Sequence, residues 1–136
     1  MQMKTNLVMT IEQATNLSAL TLAYVGDAVQ TLFVRQTLAT AHDMKPENLH
    51  RLAVKVENCS HQASVADKVE QTLTQQEMAI YHRGRNAKSA HSPKNGTVGD
   101  YRKATGFEAV LGWLYLTGQE ERLYQFRCEE ATLILE

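Results

Sequence analysis

The sequence predicts an all-α fold, a helical bundle with two buried helices at its centre, and three observations carry that prediction. Apolar residues recur at steps of three and four over most of the 136 residues, the period of an amphipathic helix. Only 7 Gly and 2 Pro punctuate the chain, too few for the many tight turns of an all-β sandwich. Hydrophobic residues make up 43% and charged residues 21%, a balance that supports a packed core rather than disorder. The length suits one domain spanning residues 1–136.

The first long helix is expected from about Ser18 to Ala41, capped by Asn16 or Ser18. Leu17, Leu20, Tyr24, Ala28 and Leu32 draw one apolar stripe along it, and Val25, Val29 and Phe33 draw a second. A helix apolar nearly all round is expected in the middle of a core. From Pro46, which suits a first helical turn, to Leu73 the pattern gives one long helix or two, broken near Asn58, Cys59 and Ser60. Thr74 to about Ala87 reads as a further helix, with Thr74 and Glu77 spaced as a capping box. The pattern fails from Lys88 to Gly99, where Ser92 to Gly96 reads as a loop. A second strongly apolar helix runs from about Asp100 to Thr117, closed by Gly118, and Glu120 to Leu135 completes the set.

Several classes are excluded by composition. Cys59 and Cys128 form no CxxC pair, and with five scattered histidines they build no zinc site at standard spacing; two thiols in a reducing cytosol is the plain reading. No stretch of about 18 uncharged apolar residues is present, and no signal-length apolar run follows Lys4. A soluble, cytoplasmic protein with no membrane partner is expected. The formal charge of −1 does not advertise a polyanion partner.

The two apolar helices each carry one central acid. Asp27 is the only charged residue between Glu12 and Arg35, and Glu108 the only one between Lys103 and Glu120. An ionised carboxylate among apolar neighbours costs several kcal/mol unless it is paired or binds a metal. Gly26 beside Asp27, and Gly106 and Gly112 around Glu108, mark places where another backbone or a ligand comes close. Two closely packed helices can thus deliver both acids to one divalent ion, and hard oxygen donors without histidine favour Mg²⁺ or Mn²⁺ over zinc. For one such acid, partial exposure or helix capping is the plainer reading; a matched pair favours metal binding or catalysis.

Near-neutral total charge hides an asymmetry. From His82 to Lys103 the chain carries six basic residues against Asp100, while the remainder holds eight basic and fourteen acidic ones. Arg83, Arg85, Asn86, Lys88 and Lys94 offer cationic and neutral donors for phosphate oxygens; a charge run alone reads more plainly as a solvated surface, but its place next to the Glu108 helix favours a polyanion contact. Aromatic residues are sparse there, which fits duplex recognition better than stacking on single strands.

These stretches resemble a known family. LAYVGDAV at 22–29 resembles the signature of the ribonuclease III catalytic domain, and FEAVLGWLYL at 107–116 resembles its second acidic helix. RGRNAK at 83–88 followed by PKN at 93–95 is similar to the compact subgroup called Mini-ribonuclease III. The resemblance spans about Leu17 to Leu123. It implies an all-α, homodimeric endonuclease that hydrolyses double-stranded RNA with Mg²⁺ and leaves 5′-phosphate ends. In the compact subgroup the implied substrate is precursor 23S ribosomal RNA, with a ribosomal protein as a possible presenter, and the chain leaves no room for a separate duplex-binding domain. Longer relatives carry further acids at the positions held here by Ala23 and Thr105, so only Asp27 and Glu108 carry over as ligands and catalytic acids, and one ion or two stays open. Two other readings stand beside this one. A non-catalytic RNA-binding or ribosome-associated module on the same fold would fit the missing acids; a Mg²⁺-dependent nucleotide pyrophosphohydrolase would need clustered acids that the chain lacks.

Overall fold

The protein is described by a computed structural model over residues 8–88 and 96–136. Among these residues there are seven helices and no strands: α1 (Ile11–Thr15), α2 (Ala19–Ala41), α3 (Pro46–Val56), α4 (Cys59–Glu70), α5 (Gln75–Asn86), α6 (Val98–Leu116) and α7 (Glu120–Leu135). The expected loop around Ser92 and Pro93, and Lys94 with it, lies at positions 89–95, outside the described residues.

Local chemistry sets most boundaries. Ser18 caps α2, its hydroxyl accepting from the Thr21 amide at 3.0 Å. Asn58 resolves the long middle segment into two helices, because its side chain accepts from the His61 amide at 2.9 Å and opens α4. The Thr74–Glu77 capping box forms at the start of α5. Thr97 caps α6, which begins at Val98, two residues ahead of the expected start. At the far end of α6, Gly118 takes φ +70 and donates to Tyr115 O, while Gln119 donates to Leu114 O, a Schellman stop that only a residue at ease in the left-handed region closes without strain. Helix α1 was not expected from periodicity, because five residues are too few to show it. Its signal was the Thr10–Gln13 capping box, which the structure forms.

Helix α6 is the centre, packed by α2, α4, α5 and α7. From Ala104 to Leu114 every residue but Glu108 is buried. Helix α2 departs from expectation: Leu22, Val29, Phe33, Val34 and Leu38 face the core, whereas Leu20, Tyr24 and Leu32 lie 41%, 80% and 61% exposed. Periodicity drew two stripes and could not say which faced inward. Exposed apolar surface therefore lies on α2, while on α6 Trp113 is 2% exposed and Tyr115 is 57% exposed.

One buried acid is fully accounted for by this packing. Glu77, 2% exposed, receives Nε and Nη2 of Arg122 at 2.9 Å each and so ties α5 to α7.

Candidate active site

Helices α2 and α6 cross where glycine faces backbone. A Cβ on Gly26 would sit on the carbonyl oxygen of Glu108, and a Cβ on Gly112 would sit on the carbonyl oxygen of Leu22. Because Gly26 precedes Asp27 and touches Glu108 itself, this contact brings the two lone acids side by side. Asp27 is exposed at the rim and Glu108 is half-buried behind it.

Burial, followed by the hydrogen bond and charge of Asp27 and then the charge of Glu130, pushes the Glu108 carboxyl from 4.5 up to about 9. The pair therefore keeps a proton at neutral pH when no cation is present. No ion pair among the described residues involves Asp27, Glu108 or Glu130, in contrast to Glu77. Two juxtaposed hard-oxygen donors without a basic partner fit a divalent cation. No group of three or more acidic, His or Cys side chains among the described residues is disposed to hold a metal directly. Ala23 and Thr105 are both buried, and Thr105 donates its hydroxyl to Tyr101 O at 3.0 Å, so neither adds a ligand.

Arg83, Gly84, Arg85 and Asn86 form the last turn of α5, inside the helix expected to about Ala87. Gly84 is a packing residue, since a Cβ there would lie 2.6 Å from Gly106 Cα. Gly106 and Glu108 are two residues apart on α6, roughly 200° around the helix, so α5 meets α6 on the side away from the acid pair. Within one chain, the structure does not bring the basic turn to the acids.

Arg83 also has other work. Its Nη1 donates to Thr15 O at 2.9 Å and its Nη2 to Leu17 O at 2.7 Å, which fixes the turn between α1 and α2. Arg85 stacks its guanidinium 5.6 Å from the Tyr81 ring centroid and is half-buried. Asn86 and Lys88 are exposed. The Arg83→Ala variant is expected to lose about 2–3 kcal/mol of stability, because two charge-assisted bonds to carbonyl groups disappear. Duplex binding by the folded variant stays within about threefold of the parent, a change of less than about 0.7 kcal/mol. Urea unfolding and filter binding on one preparation decide whether anchoring or RNA contact dominates at this position.

Sequence reasoning missed Gln30, Gln62, Glu57 and Glu130. Gln30 Nε2 donates to Glu130 Oε1 at 2.9 Å, and Gln62 Nε2 donates to Gln30 Oε1 at 2.8 Å. The signal was present in α7, where Glu130 falls on the inward stripe with Leu123 and Phe126.

Comparisons with known proteins agree with the all-α fold. A family model described as the Ribonuclease III domain matches residues 20–119. The chain is 45% identical to Mini-ribonuclease 3 of Enterococcus faecalis over 109 residues, covering 79% of this chain and 83% of that one. It is 42% identical to Mini-ribonuclease 3 of Brevibacillus brevis over 117 residues, 86% and 87% of the two chains. A crystal structure of a protein from Fusobacterium nucleatum superposes with a TM-score of 0.75 at 27% identity, covering 83% of this chain and 90% of that one.

Proposed function

This chain belongs to the ribonuclease III family and is an endoribonuclease acting on double-stranded RNA; on that premise we propose that it cuts as a Mg²⁺-dependent homodimer, with Asp27 and Glu108 as the catalytic, cation-holding acids of each protomer. The observation that carries this reading is the carboxyl pair joined at the Gly26–Gly112 crossing, with no ion pair to a basic side chain among the described residues. With the enzyme class given by the family, the non-catalytic module and the pyrophosphohydrolase fall away.

Each side chain has a task that follows from its place. Glu108, half-buried on the central helix, is fixed in position by the packing around it. Asp27, exposed at the rim, is open to a phosphate arriving from solvent. A divalent cation held there, Mg²⁺ with Mn²⁺ as a substitute, supplies Lewis-acid polarisation of the phosphoryl oxygens and a water nucleophile at neutral pH. Arg85, Asn86, Lys88 and Lys94 bind the RNA backbone, a sequence-independent contact whose strength falls steeply with salt. The products carry 5′-phosphate ends.

The homodimer rests on the exposed apolar face of α2. Leu20, Tyr24 and Leu32, with Tyr115 at 57% and Tyr124 at 57% exposure, form more apolar surface than a lone chain of this size needs to show. Leu32 and Tyr124 line a groove of about 340 Å³ with Phe33 and Tyr115, a shape that a second copy of α2 fills by two-fold symmetry. Asp27 stands one turn from Tyr24 on the same helix, so pairing along this face carries two acid pairs on one molecule. Precursor 23S ribosomal RNA as substrate, with a ribosomal protein presenting it in the cytoplasm, rests on the resemblance to the compact subgroup. No helix among the described residues is long and apolar enough to cross a membrane.

The test is cleavage of a plain RNA duplex with Mg²⁺, with EDTA and with single-stranded RNA. Metal-dependent cutting confined to the duplex supports the reading; duplex cutting that survives EDTA removes the metal from it. For the dimer, Leu32→Glu is expected to shift sedimentation from dimer to monomer and to lose cleavage in parallel, while leaving the fold intact because Leu32 is 61% exposed. An active Leu32→Glu monomer would sink the assignment of this face.

A further inference from the structure

A third carboxylate stands behind the acid pair. Glu130 of α7 is 0% exposed, and Gln30 holds its Oε1 at 2.9 Å. Gln62 in turn fixes Gln30 at 2.8 Å, so the orientation of the Glu130 carboxylate is set from two other helices. Its Oε2 is buried and has no hydrogen-bond partner among the described residues. A buried acceptor left unmade costs about 1–3 kcal/mol, more when charged, so this atom calls for a donor.

The surroundings say what kind of donor. Asp27, Gln30, Glu57, Gln62 and Glu130 line a cavity of about 160 Å³, roomy enough for several waters. Three of those five side chains are carboxylates. A divalent cation bound by only two protein carboxylates, as Mg²⁺ commonly is, retains several waters whose hydrogens need acceptors. Among the described residues, the cavity beside Asp27 is lined by acceptors and by no cationic side chain.

We propose that Glu130, with Glu57 at the exposed edge of the cavity, accepts hydrogen bonds from the hydration shell of the divalent cation held by Asp27 and Glu108. The inference rests on the acid-pair reading above. It explains how the site works with Ala23 and Thr105 in place of acids: negative charge absent from α2 and α6 returns from α7 and from the α3–α4 junction. Glu130 is thus a positioning residue, acting on the cation through water.

The experiment is Mn²⁺ binding to the full chain without RNA, read from the electron paramagnetic resonance of the free ion. Cation-free melting is measured on the same samples. Glu130→Gln keeps the shape of the side chain and an oxygen, but loses the charge. It is expected to weaken Mn²⁺ about tenfold with an unchanged number of ions per chain and no drop in cation-free melting. Glu57→Gln, at an exposed position, is expected to show a smaller loss in the same direction. Native affinity in Glu130→Gln overturns the proposal. So does a loss in Glu130→Gln that comes with lowered cation-free melting while Glu57→Gln binds normally, because packing then accounts for it. Asp27→Asn separates the two levels. If Asp27→Asn also binds Mn²⁺ normally, the acid-pair reading itself fails; if Asp27→Asn alone loses affinity, only the role of Glu130 does.

Discussion

Glu108→Gln abolishes duplex cleavage, a fall in kcat of at least about 10³-fold or about 4 kcal/mol of transition-state stabilisation, and it raises the cation-free melting temperature at pH 8. The two effects have one origin. In the cation-free protein, burial and the neighbouring Asp27 hold the Glu108 carboxyl up at about 9, whereas its ordinary value is 4.5. The folded state therefore binds a proton that the unfolded chain has released over that whole interval. Stability depends on pH through the difference in bound protons, so this group makes the cation-free fold progressively less stable as pH climbs from about 4.5 towards 9. Glutamine removes the charge and the slope together. A saturating divalent cation does the same for the parent protein by binding only the folded state. Melting curves at pH 5 and pH 8, with and without Mg²⁺, check each part. A Glu108→Gln protein that cuts normally, or that melts below the parent at pH 8 without cation, would show that the site lies elsewhere. Asp27→Asn is expected to lose cleavage equally while retaining fold and duplex binding, because Asp27 is exposed and packs against little.

The acid pair was legible because it broke a pattern. A single charge inside a long apolar helix stands out in sequence, and glycine at the adjacent position says that something comes close. What stood close could not be read, yet both features belonged to one crossing. Glu130 was overlooked for the opposite reason: beside Glu129, in a helix rich in charge, its place on the stripe of Leu123 and Phe126 looked like part of a solvated face. Its burial depends on where α7 lands against α2, a contact between residues 100 positions apart. Arg83 misled in a similar way. A cation in a basic run reads as a phosphate contact, but its partners are the carbonyls of Thr15 and Leu17, which any sequence presents and none advertises. On α2, two apolar stripes of comparable strength left inside and outside undetermined. The face given over to solvent in one chain is the one proposed for a second copy.

The crossing that creates the site gives the other large effect. Helix propensity alone says that Gly26→Ala stabilises α2 by up to about 1 kcal/mol. The packing says the reverse. The added methyl would overlap the Glu108 carbonyl group and lie 2.9 Å from the Gly112 amide nitrogen. Those are backbone atoms of the central helix, which cannot rotate aside as a side chain could. Relief requires α2 and α6 to part along a crossing that also seats Gly112 against the Leu22 carbonyl, with Leu22 0% exposed. We expect a loss of at least about 3 kcal/mol for Gly26→Ala, above the usual range for a helix substitution and near the upper end for overpacking. Gly26→Val should leave too little stability to populate the native state, since a domain of this kind has only about 5–15 kcal/mol in all. Gly99→Ala is the matched control. It lies in the first turn of the central helix, where the nearest atom to a new Cβ is Thr97 Oγ1 at an ordinary 3.7 Å, so propensity acts unopposed and the variant gains stability. Urea denaturation of the two variants should give opposite signs. Because parting the helices also draws Glu108 away from Asp27, Gly26→Ala loses Mn²⁺ affinity even where enough folded protein remains to measure it. Equal stability in Gly26→Ala and Gly99→Ala would mean that the α2–α6 crossing is looser than the backbone contact requires, and that the acids do not owe their meeting to it.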